Sequence, residues 1–211
     1  MYFWDKTYLY NDMESIVNKL ETIIKRKRKG KIYFAENFAT LGNPDAVRKS
    51  LIRLEKSGLL IRVSRGIYLY PEIDEKLGLG VLIPSADTIA KAIAKRDKAR
   101  IVPTGSYALN ALGLSTQVVT NVVYLTDGSP RKIQLPKQRI LFKHTSPKNL
   151  AYRSDVLMLV VSALKEIGSS NVTEDDLMKI KSVLSHDTKE NILADMSLAP
   201  MWIRKIILSI L

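Results

Sequence analysis

The feature that most constrains the fold is an abrupt change of hydrophobic period between residues 43 and 71. Asn43-Pro44 opens the stretch. Asparagine is a strong N-cap, and proline at the first helical position leaves no donor unpaired. Val47, Leu51 and Leu54 follow at i, i+4 and i+7, which predicts a helix over 44–56 with one apolar face. Gly58 stops it. From Leu59 onward the pattern is that of strands. Segments 59–63 and 67–70 are rich in branched and aromatic residues, with Ser64-Arg65-Gly66 as a tight turn between them and Pro71 closing the second.

Upstream, residues 13–28 have helical spacing, with Ile16, Leu20, Ile23 and Ile24 on one face, and Gly30 ends that helix. A short second segment over 33–40 carries Phe34, Phe38 and Leu41 on one side and is closed by Gly42. Three helices followed by a hairpin is the winged helix-turn-helix order. The run from Val47-Arg48-Lys49-Ser50-Leu51 to Arg65-Gly66-Ile67-Tyr68 strongly resembles that family. With Val47, Leu51 and Leu54 inward, Asp45, Arg48, Lys49, Arg53 and Lys56 lie on the outer face. In a helix-turn-helix the second helix of the motif enters the major groove of DNA. The resemblance therefore implies that Arg48 and Lys49 reach guanine edges or phosphates, and that Arg62 and Arg65 of the hairpin track neighbouring phosphates or the minor groove. Asn43 serves either an adenine edge or the helix cap. Arg53 and Lys56 either contact DNA or are merely solvated.

The charge agrees with an anionic partner. The 211 residues carry 33 Lys+Arg against 21 Asp+Glu, a net charge of +12. Residues 1–71 hold 14 of those cations and 7 of the anions. The densest run is Lys25-Arg26-Lys27-Arg28-Lys29-Gly30-Lys31. Six mutually repelling cations exceed what the roughly half-charge of a helix C-terminus calls for, which favours phosphate as their partner. The absence of cysteine removes disulfides, thiolate metal sites and cysteine nucleophiles. Two isolated histidines, His144 and His186, form no metal cage and no visible triad, so neither a metal nor any other cofactor is expected. The apolar run 156–161 is far short of the ~20 residues that span a bilayer, and the N-terminus shows no secretory signal. A cytoplasmic protein with no membrane partner is expected.

Residues 72–84, with Gly78, Gly80 and Pro84 among charges, read as a linker between a DNA-binding domain over 1–71 and a second domain over 85–211. In the second domain, helices are expected from Ser85 to about Lys95 and over 107–112. Strands are expected over 100–103, 118–119, 121–126, 131–135 and 139–144. The tail reads as helices over 150–167, 173–184, 187–195 and 200–211. The whole is an α+β chain: a winged helix-turn-helix domain, then a mixed α/β domain with a small sheet and a helical C-terminal segment. Beyond the winged helix, Ile83-Pro84-Ser85-Ala86-Asp87-Thr88, Val102-Pro103-Thr104-Gly105-Ser106-Tyr107, Val123-Tyr124-Leu125-Thr126-Asp127-Gly128 and Ser146-Pro147-Lys148-Asn149-Leu150 resemble the AbiEi-type antitoxins. That resemblance implies an N-terminal domain that represses its own operon. It also implies a C-terminal domain that counteracts a nucleotidyltransferase toxin without need of a stable complex, a type IV toxin–antitoxin pairing. No antitoxicity residue transfers from the family to a position here.

Catalysis is not expected. Thr104-Gly105-Ser106 at a helix start and Asp127 after a strand faintly resemble a nucleotidyltransferase, whose Gly-Ser turn holds triphosphate. Such an enzyme needs two carboxylates at alternate strand positions for two Mg²⁺ ions, and the residue two before Asp127 is Leu125. Asp127-Gly128 therefore reads as a turn. Tyr107, Tyr124 and Tyr152 are assigned to packing in preference to base stacking. The Tyr2-Phe3-Trp4 cluster is expected against the first domain or in a dimer contact. One winged helix reads only a short half-site, so a homodimer or paired monomers on a repeated operator is expected. Two alternatives stand beside the repressor–antitoxin reading: a winged-helix transcription factor whose second domain senses a small ligand, and a degenerate nucleotidyltransferase-like protein.

Overall fold

The computed structural model describes residues 15–211, which form two compact units divided between Ser85 and Ala86. The Tyr2-Phe3-Trp4 cluster lies outside the described residues. The class is α+β, as expected from the sequence.

In the first unit, α1 (Ile16–Lys25) is capped by Ser15, whose hydroxyl accepts from the Asn18 amide, and it ends at Arg26. This corrects the expected helix end. Only Lys25 of the basic run is helical, and the following cations occupy a turn that closes at Gly30, with φ +80°. The expected second segment is split. Ile32–Tyr33 forms a two-residue strand, β1, and Ala35–Leu41 forms a 3-10 helix. Helix α2 (Pro44–Lys56) starts and stops where its cap and glycine predict. Strands β2 (Ile61–Ser64) and β3 (Ile67–Leu69) follow. They pair antiparallel, with an irregularity between Arg62 and Ser64, and β1 pairs antiparallel on the other side of β3. Strand β3 is therefore central, and all three of its residues are buried. One cluster joins Leu20 and Ile24 of α1, Tyr33, Phe38, Val47, Leu51 and Leu54 of α2, Leu60 and Tyr68.

Residues 72–84 are not a plain linker. Strands β4 (Glu72–Asp74) and β5 (Gly80–Leu82) pair as an antiparallel hairpin within the first unit. Its period-2 signal is hidden because Ile73, Val81 and Leu82 are exposed, so no buried face marks the strands.

In the second unit, α3 (Ala86–Asp97) precedes a mixed four-stranded sheet built from β6 (Ile101–Thr104), β7 (Asn121–Thr126), β8 (Arg131–Gln134) and β9 (Arg139–His144). The order is β6-β7-β9-β8. The outer pairs are antiparallel and the central β7–β9 pair is parallel. The short helix α4 (Ser106–Ala111) lies between β6 and β7, and residues 118–119, expected as strand, are not. The helical tail comprises α5 (Asp155–Ile167), α6 (Glu174–Leu184), α7 (Lys189–Asp195) and α8 (Met201–Ile210). Helix α5 starts later than residue 150 because a 3-10 turn occupies Pro147–Leu150 and Ser154 takes the N-cap. Leu157, Val160, Val161 and Leu164 of α5 pack with Ile180, Ile192, Ile203 and Ile207 from the three later helices. No described helix is long and apolar enough to cross a membrane.

The start of α5 is held from a distance. The Asp195 carboxylate, 4% exposed, accepts from the backbone amides of Arg153 and Ser154, the latter at 2.8 Å. Hydrogen bonds to a charged acceptor contribute about 1.5–3 kcal/mol each, and a buried amide left without a partner adds its own desolvation cost. Asp195→Ala is expected to destabilise the second unit by at least about 2 kcal/mol, read as a lower urea midpoint; an unchanged midpoint would contradict this role. In the first unit, the Asn43 Oδ1 accepts from the Ala46 amide at 2.8 Å. Asn43→Ala is expected to cost about 1 kcal/mol and Asn43→Ser to restore most of it, and equal losses in both variants would show that the cap is not what Asn43 supplies.

Candidate functional site

The outer side of α2 follows from its inner side. Once Val47, Leu51 and Leu54 are buried, a 3.6-residue period leaves Asp45, Arg48, Lys49, Arg53 and Lys56 exposed. Asn43, Pro44, Asp45, Ala46, Arg48 and Lys49 line a shallow hollow at the start of this helix. The positive end of the helix dipole lies at that hollow together with two cationic side chains, while Pro44 carries no amide proton and the Ala46 amide is taken by Asn43. Arg48 reaches back to Asp45, with Nη1 to Oδ1 at 3.2 Å, and both side chains are mostly exposed. Such a surface pair contributes little to stability and exchanges readily for another anion. Asn43 is exposed but spends its carbonyl oxygen on the cap, so only its amide nitrogen remains for an outside partner.

One exposed side chain on this face escaped the sequence reading. Ile52, 38% exposed, lies one turn beyond Arg48 and Lys49 and beside Arg53. An isoleucine inside a helical pattern is naturally counted as core. The signal against that was its place off the 47–51–54 stripe.

Arg62 and Arg65 are both exposed on the β2–β3 hairpin. The turn between the strands is the dipeptide Arg65-Gly66, and Gly66 has φ +74°, a conformation that a side chain at that position would strain. This places Arg65 at the hairpin tip.

The basic run sits at the other end of β3. The Gly30 amide donates to the Tyr70 carbonyl at 2.7 Å, and the Tyr70 amide donates to the Lys31 carbonyl at 2.9 Å, so the turn is tied to the hairpin base. Lys25, Arg26, Lys27, Arg28, Lys29 and Lys31 are all exposed. Lys25 pairs with Glu21 one turn back at 2.6 Å, and hydrogen bonding to that carboxylate raises its pKa above the ordinary lysine value. Lys31 lies 5.5 Å from the centroid of the Tyr33 ring. Arg26, Lys27, Arg28 and Lys29 make no ion pair among the described residues. The structure thus places every cation singled out in the sequence in the first unit, with Arg65 at the tip of the β2–β3 hairpin and the basic turn tied to its base at Tyr70.

In the second unit, His144 ends β9 and His186 follows α6, and both are exposed. No cluster of metal-ligating side chains occurs among the described residues.

The chain is similar to the crystal structure of the RV2827C protein from Mycobacterium tuberculosis, with 14% identity and a TM-score of 0.43, over 90% of this chain and 72% of that one. That likeness is too remote to carry fold or function across. No curated protein matches the chain. The model of a family of unknown function, DUF6088, matches residues 19–192, and the chain belongs to that family.

Proposed function

We propose that the protein is a sequence-specific binder of double-stranded DNA that represses its own operon. The observation that carries this reading is the outer face of α2, where Arg48, Lys49, Ile52 and Arg53 stand exposed on a helix fixed by its opposite side. Arginine and lysine suit guanine O6 and N7, and an exposed aliphatic side chain suits the thymine methyl. Because Asn43 caps the helix through its oxygen, selection of bases falls to these four. Arg62 and Arg65 supply backbone contacts beside the helix.

The basic turn has a different duty. Its cations raise affinity for any duplex without reading sequence. A protein with this partner acts in the cytoplasm, with the chromosome. Two copies on repeated half-sites would give a single short recognition helix a longer address.

The resemblance to AbiEi-type antitoxins extends the proposal. The second unit neutralises a nucleotidyltransferase toxin encoded beside it, and binding, not chemistry, is its mode of action. Co-expression with the neighbouring gene tests this. The full chain should restore growth, whereas failure to do so would remove the antitoxin role and leave the DNA-binding role standing.

The DNA-binding role has its own test. In gel-shift assays with duplex from upstream of its gene, Arg48→Ala combined with Lys49→Ala should lower affinity at least tenfold while leaving the thermal midpoint unchanged, since each good base contact is worth about 1–3 kcal/mol. Replacing Lys25, Arg26, Lys27, Arg28 and Lys29 by glutamine should weaken binding to all sequences. It should also reduce the salt slope by about 0.9 for each phosphate that the variant no longer neutralises. Wild-type retardation by the Arg48/Lys49 variant would overturn the assignment of α2.

A further inference from the structure

We propose that the second unit binds a guanine-type nucleobase in a cavity between α3, β6, α4 and the start of α5. The cavity encloses about 270 Å³, near the lower bound of roughly 300 Å³ for small-molecule pockets. It is a size for a base and not for a whole nucleotide. Ile101, Pro103, Met158 and Leu159 supply apolar walls, and Tyr107 adds an aromatic ring. A flat heterocycle is well served by such walls, because stacking on aromatic and apolar side chains needs no particular edge.

The polar end sets the chemistry. Asp87 is already committed: its Oδ1 accepts from the Tyr124 hydroxyl at 2.8 Å, and its Oδ2 pairs with Lys91 Nζ at 2.7 Å. Tyr124 is buried against Phe142 at 6.0 Å between ring centroids. Burial first, and the hydrogen bond to Asp87 second, hold its phenol far above the ordinary tyrosine range, so it remains a neutral donor. Lys91 is held protonated by its hydrogen bond to Asp87, with the Asp155 carboxylate close enough to add to the effect. With the Tyr107 hydroxyl engaged by Tyr124, Lys91 and Asp155 are the two charged groups on the cavity lining open to a ligand. Lys91 has ammonium protons to spare on a side chain 70% exposed, and Asp155 is exposed at the first position of α5. A donor beside a carboxylate complements a base edge that offers an acceptor beside two N–H groups. Guanine presents that edge: O6 would accept from Lys91, and N1–H and N2–H would donate to the two oxygens of Asp155. Adenine offers a single N–H donor group to the carboxylate. The lining holds two carboxylates against one ammonium, so a phosphate at the mouth is disfavoured, and the ligand enters as nucleoside or free base.

Calorimetric titration of the full chain with guanosine, adenosine, guanosine monophosphate and ribose tests this. Guanosine is expected to bind with a submillimolar Kd, at least fivefold more tightly than adenosine or the monophosphate, and ribose not at all. Asp155→Asn keeps the shape of the site, and it and Lys91→Ala should each weaken guanosine at least tenfold, while the Arg48→Ala/Lys49→Ala variant binds it as the parent does. No guanosine binding at 1 mM, equal binding of adenosine, or unchanged affinity in both cavity variants would overturn the proposal. None of these results depends on whether the first unit binds DNA.

Discussion

Everything proposed for the first unit depends on how α2 is gripped. Val47, Leu51 and Leu54 are at most 2% exposed, and they share one apolar cluster with α1, the 3-10 helix and the hairpin. Burying a side chain of this kind is worth about 1.5–3 kcal/mol, a large share of the roughly 5–15 kcal/mol that holds a whole domain together. The grip fixes the rotation of α2 about its own axis. Rotation alone then decides that Arg48, Lys49, Ile52 and Arg53 point away from the protein. A polar face of this kind costs the fold little, since its cations stay in water, and it leaves them available to an anionic partner.

The division of labour proposed for the cations follows from where the backbone places them. Side chains on a gripped helix are presented at fixed spacing and orientation, which the selection of bases requires. The cations that follow Arg26 lie in a turn outside any helix or strand, held to α1 through the Lys27 amide and to the hairpin base through Gly30 and Lys31. A cluster of that type contributes charge in a region of space, and counterion release does not need exact geometry. On the proposed DNA-binding reading, affinity and selection come from different parts of the same small unit.

Much of this was legible in the sequence, and the reason is that the signals are local. The cap at Asn43, the 47–51–54 stripe and the Ser64-Arg65-Gly66 turn each act within a few residues, so α2 and the β2–β3 hairpin fall where the pattern places them. What was missed depends on distant partners. Strand β1 is two residues long and exists because Ile32 and Tyr33 meet Leu69 and Tyr68. The β4–β5 hairpin has no buried face to impose alternation. The end of α1 was misjudged because Gly30 is a glycine with positive φ that belongs to the turn and not to the helix end. In the second unit the bond between Tyr124 and Asp87 spans 37 residues, and nothing in either neighbourhood announces it. The Gly105-Ser106 turn, which resembles that of a nucleotidyltransferase, is a local motif, whereas the lined cavity brings Asp87, Lys91 and Asp155 together from α3 and α5.

The central claim is that a helix held by its apolar stripe turns its opposite side into a DNA duplex. An NMR titration that follows the backbone amides of the full chain, with duplex from upstream of its own gene, tests that claim residue by residue. The largest shifts are expected at residues 43–53 and 62–66, saturating at one ratio of protein to half-site. Shifts confined to the second unit, or spread evenly over every basic surface, would contradict that claim.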